Sequence, residues 1–499
     1  MAKHRKLKLR NTPFTRKEQP VIDEKVRQER VLPLIAALNA GAGEQASALN
    51  SALLLVEDRN IRHMLLRERL IKTILSILSE TSLNTAAQCF AILRSVVRLE
   101  GRDPAVFLIR ENIKGIVNHF ANKGSNDDTL LENMFGLIAG IIMSAFDVSG
   151  WESALQLALA VGTNKQSSSP GTYMTAFEML YYISEDIDGE EITPFFDKET
   201  VQTLKSKATA SPTWITKLYG IGIEFNAVLV SDSDMLKVCE EICEFLKNVP
   251  RDDVKSVQTC LELLTIAAQS NELEQVLSIV NSVGPILVDL LPGQKYQLRA
   301  VSVLNNIGWS LDALSYQWVE DAETVFNVVI TNCFGDLTDT ELVSSSLGLL
   351  GSTLVQSPGL AQTQQFHDLV YKLLNRVEVL YNESNLEWIS IARSLVVVLA
   401  NSQSGRIQET TKLIFLMLEN GDAEAQIDAL NSLFDIHGDN EAEYNQNEYV
   451  NLGLNDRLQS LKPLLKRTLK SVPKSDEIQR EQALDALSNL DSFIAYKRI

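Results

Sequence analysis

Two short stretches of this 499-residue chain repeat each other at an offset of 43 residues. "LLRERL" occupies residues 65–70, and "LIRENI" occupies residues 108–113. The apolar sequence before each copy also agrees, with "ALNSALLLVED" at 48–58 and "AAQCFAILRSVV" at 86–97. Repeats of about 40 to 47 residues with two or three helices each are typical of armadillo and HEAT arrays, whose units bury their apolar faces only by stacking on neighbours.

Long apolar segments with helical character continue through the rest of the chain. They include residues 130–146, 257–269, 299–314 and 388–402, which are apolar on most sides, as the central helices of a stacked array must be. Breaks rich in Pro, Gly, Ser and Asp separate roughly twenty such helices. The sequence therefore predicts an all-α fold, an armadillo/HEAT-repeat superhelical solenoid.

Composition indicates a folded protein with a reduced interior. The chain is 45% hydrophobic and 22% charged, as in ordinary globular proteins. Its five cysteines (Cys89, Cys239, Cys243, Cys260 and Cys333) are odd in number and lie in apolar helical sequence, which favours buried free thiols over disulfides. No uninterrupted apolar run approaches the ~18 residues of a membrane helix, and no secretory signal is recognisable, so we expect no membrane association.

Charge divides the chain into a basic start and an acidic remainder. The chain has 46 basic and 64 acidic residues, and seven of the basic ones stand before residue 18, so the remainder carries a net charge of −25. We therefore predict a disordered basic tail over residues 1–19 and a continuous repeat array over residues 20–499. An anionic body repels nucleic acid and favours basic protein partners.

Motifs for catalysis are not recognisable in the sequence. There is no phosphate-binding glycine loop, no G-x-S-x-G and no H-E-x-x-H, and the five histidines are far apart in sequence. Cys239 and Cys243 lie one helical turn apart, but further ligands at metal-site spacing are missing. We predict that the protein is not an enzyme and holds no cofactor or metal.

Several blocks along the chain together resemble the symportin family. They are "MAKHRKLKLRNTP" (1–13), "LLVEDRNIRHMLLRERLIKTIL" (54–75), "ISEDI" (183–187), "LNNIGWSL" (304–311), "ALNSLFDIHGD" (429–439) and "ALDALSNLDSFIAYKR" (483–498). Members of that family are armadillo/HEAT proteins that carry newly made ribosomal proteins into the nucleus. The resemblance implies a shuttling adaptor and chaperone for two 5S-rRNA-binding proteins of the large ribosomal subunit. It also implies a transportin-type import receptor as partner, with nucleic acid contacted only through the clients.

The resemblance also implies a role for the basic start. In the family this segment is an import signal of the proline-tyrosine type, and Arg10-Asn11-Thr12-Pro13-Phe14 fits it with Phe in place of Tyr. The predicted signal residues are Lys3, Arg5, Lys6, Lys8, Arg10, Pro13 and Phe14. The alternative is a solvated basic arm that touches RNA or folds back on its own acidic body.

Clients are expected on the concave face of the solenoid. A basic extended peptide needs carboxylates, Asn side chains for its backbone and aromatic faces for Arg or Lys stems. The candidates are Tyr182, Glu185, Asp186, Asn226, Asn306 and Trp309, and core packing or helix capping is an equally good reading of each. The family's long acidic insertion is missing, so "EDIDGEE" at 185–191 is the candidate site for the second client, with Asp188, Glu190 and Glu191 as its further members. The alternatives are that these carboxylates form a solvated helix end, or that the chain carries only the first client.

Two other functions remain open from the residues alone. An importin-α-like adaptor should repeat a Trp-x-x-x-Asn pair, but none of the five tryptophans has Asn four residues later. A scaffold of a ubiquitin or phosphatase complex is compatible with such an array, although it leaves the basic start unexplained.

Overall fold

The fold is described from a computed structural model of the chain. The described residues are 23–79, 82–123, 127–163, 169–187, 189, 191–231, 235–313, 322–401, 407–438, 443–473 and 477–497. Within these ranges every regular element is helical. Contacts group them into two compact units, and the division in the sequence falls between Cys260 and Leu261. Each unit is described by itself, and the continuous array predicted for residues 20–499 stays a prediction.

The N-terminal unit begins with a helical turn (Glu24–Val26) and a π-helical turn (Arg27–Val31). Its helices are α1 (Leu32–Leu38), α2 (Ala42–Leu55), α3 (Arg59–Arg67), α4 (Leu70–Leu78), α5 (Leu83–Glu100), α6 (Arg102–Arg110), α7 (Ile113–Lys123), α8 (Asp128–Ala145), α9 (Glu152–Thr163), α10 (Pro170–Ser184), α11 (Lys198–Thr209), α12 (Trp214–Ser231) and α13 (Met235–Asn248). Helix α14 (Val254–Ala267) contains the boundary between the units.

The C-terminal unit continues from α14. Its helices are α15 (Leu273–Leu290), α16 (Gln297–Ala313), α17 (Ala322–Cys333), α18 (Thr340–Gln356), α19 (Gln364–Asn382), α20 (Glu387–Asn401), α21 (Ile407–Asn420), α22 (Ala423–His437), α23 (Glu443–Asn451), α24 (Leu454–Lys470) and α25 (Glu477–Tyr496). The predicted apolar segments coincide with α8, α14, α16 and α20.

In each unit one set of long helices packs side by side, and we call these the ladder helices. In the N-terminal unit they are α2, α5, α8, α10 and α12; in the C-terminal unit they are α16, α18, α20, α22 and α25. Shorter helices cover the other side, as α9 does by packing on α7, α11 and α10. Each ladder helix therefore packs on equivalent helices of neighbouring repeats, which confirms an all-α repeat solenoid.

The backbone confirms the 43-residue offset read from the sequence. Arg69 and Asn112, the equivalent residues of "LLRERL" and "LIRENI", both adopt left-handed conformations with φ values of 65° and 61°. Each ends the short turn between two helices, α3 to α4 and α6 to α7. Left-handed residues other than glycine are uncommon, so their recurrence marks the same turn in two successive repeats.

Helix starts follow capping chemistry. The carboxylates of Asp58, Asp127, Asp339 and Asp422 accept hydrogen bonds from backbone N–H groups in the first turns of α3, α8, α18 and α22. Ser169 does the same for α10, and Pro170 follows it at the first helical position. These residues satisfy donors that a helix leaves unpaired at its N-terminus, so the repeat boundaries are encoded locally.

The five cysteines are buried free thiols, as predicted. Burial raises the pKa of Cys89, Cys239 and Cys243 to about 12. These thiols are therefore protonated at neutral pH and behave as small apolar side chains.

By length and composition alone, α8 and α15 are apolar enough to cross a membrane. They qualify although carboxylates interrupt them, Asp128 and Glu132 in α8 and Glu274 and Asp289 in α15. In the solenoid α8 packs between α5 and α10, and α15 packs on α16.

Candidate functional site

A groove of 840 Å³ crosses four successive ladder helices of the C-terminal unit, α16, α18, α20 and α22. The lining residues are Asn305, Trp309, Asp312, Ser344, Gly348, Gly351, Ser352, Val355, Ser390, Arg393, Ser394, Val397, Val398, Glu424 and Asp428. The groove exists because neighbouring repeats bring equivalent positions of their ladder helices into one row. It contains Trp309, one of the residues predicted to bind a client.

Trp309 exposes a large aromatic face in this groove. Its side chain is 60% exposed, although Leu304, Ile307 and Leu311 on the same helix are buried. Asn305 precedes it by one turn and Asp312 follows it by one turn, so the three share a face of α16. This face offers an aromatic surface, an amide and a carboxylate to a ligand.

The carboxylate of Asp312 can interact with a cationic group of a ligand. It accepts a hydrogen bond of 2.9 Å from the side-chain amide of Gln356 on α18. Among the described residues no Lys or Arg forms an ion pair with it. A cationic side chain resting on Trp309 would therefore find a carboxylate one turn away.

Arg393 neutralises part of the other end of the groove. Its Nε lies 2.7 Å from Asp428 Oδ2, and its Nη2 lies 3.1 Å from Glu424 Oε1. These contacts link α20 to α22, and the side chains are only partly exposed. With three carboxylates and one guanidinium, the lining keeps a net negative charge.

The floor of the groove is built from small residues. Ser344 and Ser390 place their hydroxyl oxygens 2.9 Å apart, joining α18 to α20. Gly348 and Gly351 lie on the same helix as Ser344. Small residues at these positions let the neighbouring ladder helices and their side chains pack closely against one another.

Asn305 is a groove residue that sequence reasoning missed. A Cβ atom at Gly348 would lie 2.5 Å from Asn305 Oδ1, so the amide of Asn305 lies directly across the next ladder helix. Together with Trp309 it forms an Asn-x-x-x-Trp pair, the reverse of the Trp-x-x-x-Asn order that was sought. A search for either order at i, i+4 would have found it.

Asn306 and Asn226 make contacts within the fold. Asn306 Nδ2 donates to the carbonyl oxygen of Thr265 at 2.8 Å, and it does not line the groove. Asn226 is buried, and its Nδ2 donates to Ser184 Oγ at 2.9 Å. The Asn226 bond joins the ladder helices α12 and α10, and the Asn306 bond joins α16 to α14, which corresponds to the packing alternative stated for these residues.

The other predicted client residues lie around the end of α10. Tyr182 Oη donates to Met143 Sδ at 3.6 Å, Glu185 caps the helix, and Glu191 is exposed. The loop after α10 is held by buried Ile187 and by Thr193, whose hydroxyl donates to the Ile187 carbonyl oxygen at 2.7 Å. The loop is therefore held by a buried side chain within its acidic segment and by a hydrogen bond that closes it on its C-terminal side.

Some predicted residues lie outside the described ranges. These are the import-signal residues Lys3, Arg5, Lys6, Lys8, Arg10, Pro13 and Phe14, together with Asp188 and Glu190 of the acidic loop. Their roles remain predictions.

A cluster of three or more His, Cys, Asp or Glu side chains suited to a metal ion does not occur in the described part of the chain.

Comparisons with known proteins agree with the family read from the sequence. Residues 292–499 match the family model described as SYO1-like, TPR repeats. Symportin 1 of Chaetomium thermophilum is 25% identical over 201 residues, which are 38% of this chain and 30% of that protein. Synchronized import protein 1 of Saccharomyces cerevisiae is 20% identical over 601 aligned positions, covering 95% of this chain and 94% of that protein.

Solved structures with similar folds give weaker matches. An engineered protein superposes with a TM-score of 0.44 and 15% identity, covering 81% of this chain and 98% of its own. A structure from work on the phosphorylation switch between cadherin and β-catenin has a TM-score of 0.45 and 12% identity, covering 93% and 91%. The sequence relatives, and not these structures, support a relationship of this chain to the symportin family.

Proposed function

We propose that this protein is a transport adaptor and chaperone for basic ribosomal proteins. Its clients would be the two newly made proteins of the large subunit that bind 5S rRNA, and a transportin-type receptor would carry the complex into the nucleus. The names of the two relatives, a symportin and a synchronized import protein, support an import role. The observation that carries the proposal is the groove, where exposed Trp309 stands beside the carboxylate of Asp312.

The chemistry of the groove suits a basic client. A Lys or Arg side chain lying over the indole of Trp309 gains a cation–π contact, worth about 0.5–1 kcal/mol at an exposed site. The carboxylate of Asp312 adds an attraction that the net charge of −25 beyond residue 17 extends over the surface. Shielding such a client from RNA before assembly is the task of a chaperone for ribosomal proteins.

The second client is assigned to the loop after α10. Its sequence, "EDIDGEE", has five carboxylates in seven residues. The anchoring of the loop by Ile187 and Thr193 holds the described carboxylates Glu185, Asp186 and Glu191 on the surface of the N-terminal unit. Two separate sites would let the adaptor hold both proteins together.

Titration of each purified ribosomal protein against the full-length chain tests this function. We expect both to bind at low salt and to weaken strongly at about 0.5 M salt, where exposed charges are screened within a few ångströms. Trp309→Ala should weaken the first client about tenfold or more, because exposed aromatic anchors dominate such interfaces. Neutralising the five carboxylates of the loop should weaken only the second.

Tyr371→Ala is the matched control for the Trp309 variant. Tyr371 is 67% exposed on α19 of the same unit and does not line the groove. Binding of both ribosomal proteins should be unchanged in this variant. Failure of the wild-type chain to bind either protein, or equal losses in the two variants, would contradict the proposal.

A further inference from the structure

We infer that the short helices of the first repeats bind the phosphate backbone of double-helical RNA. The surface is formed by Arg59 and Arg67 on α3 together with Arg102 and Arg110 on α6, and we call it the arginine face. It belongs to the N-terminal unit, whereas the groove described above lies on ladder helices of the C-terminal unit. The inference goes beyond the proposed function, and only the choice of RNA over DNA rests on it.

The short helices α3, α4, α6 and α7 are positively charged in an acidic protein. Residues 58–78 and 102–123 hold nine basic and four acidic side chains, although the whole chain has a net charge of −18. The negative charge is therefore not spread evenly over the repeats. A local positive surface can attract a polyanion even when the protein as a whole is acidic.

The arginines of this face recur with the repeat. Arg59 and Arg102 begin α3 and α6, Arg67 and Arg110 end them, and each pair is separated by the same 43 residues. All four side chains are exposed. Within each helix the two arginines lie eight residues apart, which is about 12 Å along the axis and less than a quarter turn around it. Each repeat therefore presents two arginines on the same side.

Two ion pairs hold the neighbouring repeats together beside this face. Arg62 Nε of α3 lies 2.6 Å from Oε1 of Glu100, which stands just before α6. Lys72 Nζ of α4 lies 3.6 Å from Oε1 of Glu111, which stands just after α6. Because both ends of α6 are linked to the α3–α4 pair, the four arginines belong to one surface.

The four guanidinium groups are free to bind a ligand. None of these side chains forms an ion pair or a hydrogen bond with another described residue. The nearby carboxylates have partners of their own, since Glu68 accepts a 2.8 Å hydrogen bond from Arg27 Nε and Asp58 caps α3. With Glu111 paired as described, Asp103 is the remaining acidic side chain of these helices without a partner in the described part of the chain. The face therefore keeps a net positive charge.

The arginine face offers charge without apolar anchors. In α3, α4, α6 and α7 every large apolar side chain is at least partly buried, and Lys72 Nζ lies 5.7 Å from the ring centre of Phe107. An acidic peptide would gain little here, because exposed ion pairs are weak and the peptide must be ordered on binding. A single strand of nucleic acid needs aromatic faces on which its bases stack. A double helix is already ordered, so the face fits a duplex better than either.

The charge spacing of a duplex suits this arrangement. Double-stranded DNA carries about one negative charge per 1.7 Å of its axis, and one strand advances about 3.4 Å per nucleotide. Arginines about 12 Å apart can therefore meet phosphates three to four nucleotides apart, each with a guanidinium that binds phosphate oxygens in bidentate fashion. The proposed handling of ribosomal proteins makes RNA the natural source of such a backbone. This contact would be direct, in addition to any contact made through the clients.

Fluorescence anisotropy of the full-length chain, without ribosomal proteins, tests the inference. The labelled probes are a short RNA duplex, a DNA duplex of the same length, an unpaired RNA strand and a polyglutamate peptide. We expect the RNA duplex to bind at low salt about tenfold more tightly than the single strand and the peptide, and at least as tightly as the DNA duplex. Its affinity should fall steeply as salt is raised.

A fourfold variant connects this binding to the arginine face. It combines Arg59→Gln, Arg67→Gln, Arg102→Gln and Arg110→Gln. We expect it to bind the RNA duplex about tenfold or more weakly at low salt. The slope of log affinity against log salt concentration should become shallower by about 3–4, since each lost phosphate contact removes about 0.9. Because all four side chains are exposed, the variant should retain the wild-type thermal unfolding curve.

A matched control changes the net charge by the same amount at exposed lysines that form no ion pair among the described residues. It combines Lys198→Gln, Lys207→Gln, Lys237→Gln and Lys412→Gln. Its affinity for the RNA duplex should stay within about twofold of the wild-type value, and its salt slope should be unchanged.

Equal losses in the two fourfold variants would overturn the inference, because binding would then follow net charge alone. Binding of the single strand or of polyglutamate as tightly as the duplex would overturn it as well, and tighter binding of DNA than of RNA would reject RNA as the ligand. The proposed function is judged separately, since the arginine variant should still bind both ribosomal proteins. Binding of those proteins without binding of the RNA duplex would reject the arginine face and keep the adaptor function.

Discussion

Four glycines of the ladder helices lie beneath a side chain from the preceding ladder helix. The pairs are Arg94 over Gly136, Glu132 over Gly171, Tyr181 over Gly222 and Asn305 over Gly348. At each position a Cβ atom would collide with the crossing side chain. These glycines therefore permit a polar or aromatic side chain to lie flat between neighbouring repeats, at the cost of helix propensity.

Gly348→Ala should lower the free energy of unfolding by about 1 kcal/mol, because displacing Asn305 outweighs the gain in helix propensity. Gly351→Ala, on the same helix, meets Val398 Cγ2 at an ordinary 3.5 Å and should stabilise by about 0.5–1 kcal/mol. Urea unfolding measures both changes. In the double variant Asn305→Ala, Gly348→Ala the clash is absent, so the alanine at position 348 should no longer destabilise the fold. A Gly348→Ala single variant as stable as the Gly351→Ala variant would contradict this account.

The two asparagines of "NNIGW" illustrate which parts of the site the sequence predicts. Trp309 was identified because an exposed aromatic is expected on a binding face, and the structure places it in the groove. Asn306 was chosen over Asn305, but consecutive helical residues point about 100° apart. Asn306 bonds Thr265 behind it, whereas Asn305 faces the groove. Choosing between them requires the rotation of α16 against its neighbours, which the local sequence does not contain.

At the scale of elements, the turn before α4 holds one residue in an unfavourable backbone conformation. Arg69 is exposed and holds a left-handed backbone conformation at φ 65°. That conformation costs an ordinary L-residue roughly 1–2 kcal/mol, and glycine avoids the steric part of it. The repeat geometry nevertheless requires it, because the equivalent Asn112 adopts it too.

Arg69→Gly should therefore raise the free energy of unfolding, by up to about 1 kcal/mol after the larger chain entropy of glycine is counted. Arg67→Gly is the control, since Arg67 is also exposed but ends α3 in the right-handed conformation. It should destabilise by about 0.5–1 kcal/mol. Thermal or urea unfolding compares the two variants, and destabilisation of equal size in both would show that the turn is not strained.

The repeat elements were predictable because their signals are local. The apolar segments, the 43-residue offset and the capping residues each act over a few turns of helix, and α8, α14, α16 and α20 appear where the sequence placed them. The number of helices was underestimated, at roughly twenty against 25 labelled helices in the described ranges. The prediction was too low because short helices such as α3, α4, α6 and α7 are separated by breaks of only one to three residues. Breaks this short are difficult to recognise in the sequence.

At the scale of the whole molecule, the distribution of charge matches the two tasks of the proposed function, client binding and receptor binding. The acidic body suits basic clients, while the basic residues before residue 18 suit an acidic receptor surface. The two activities should therefore be separable by mutation.

Changing Pro13 and Phe14 together to Ala should abolish binding to a transportin-type receptor and nuclear entry, while ribosomal proteins still bind. In the proposed signal, proline would lower the ordering cost of the segment on binding, and Phe14 would supply an apolar anchor. Pull-down with the purified receptor and imaging of a fluorescent fusion measure the two effects. Thr12→Ala and Thr15→Ala together form the control. Unchanged nuclear entry of the Pro13/Phe14 variant would reject the signal.

The glycine crossings also bear on how the chain folds during synthesis. In all four pairs the large side chain belongs to the earlier helix and the glycine to the later one. As the ribosome releases the chain, each completed ladder helix already carries the protruding group over which the next helix must fit. At these four crossings docking can then proceed in the direction of translation, because the later helix packs on a surface that is already complete. Helices α8 and α10 each present a glycine to the preceding ladder helix and a large side chain to the next one, so the two faces of such a repeat are complementary to each other, and growth in one direction repeats the same fit.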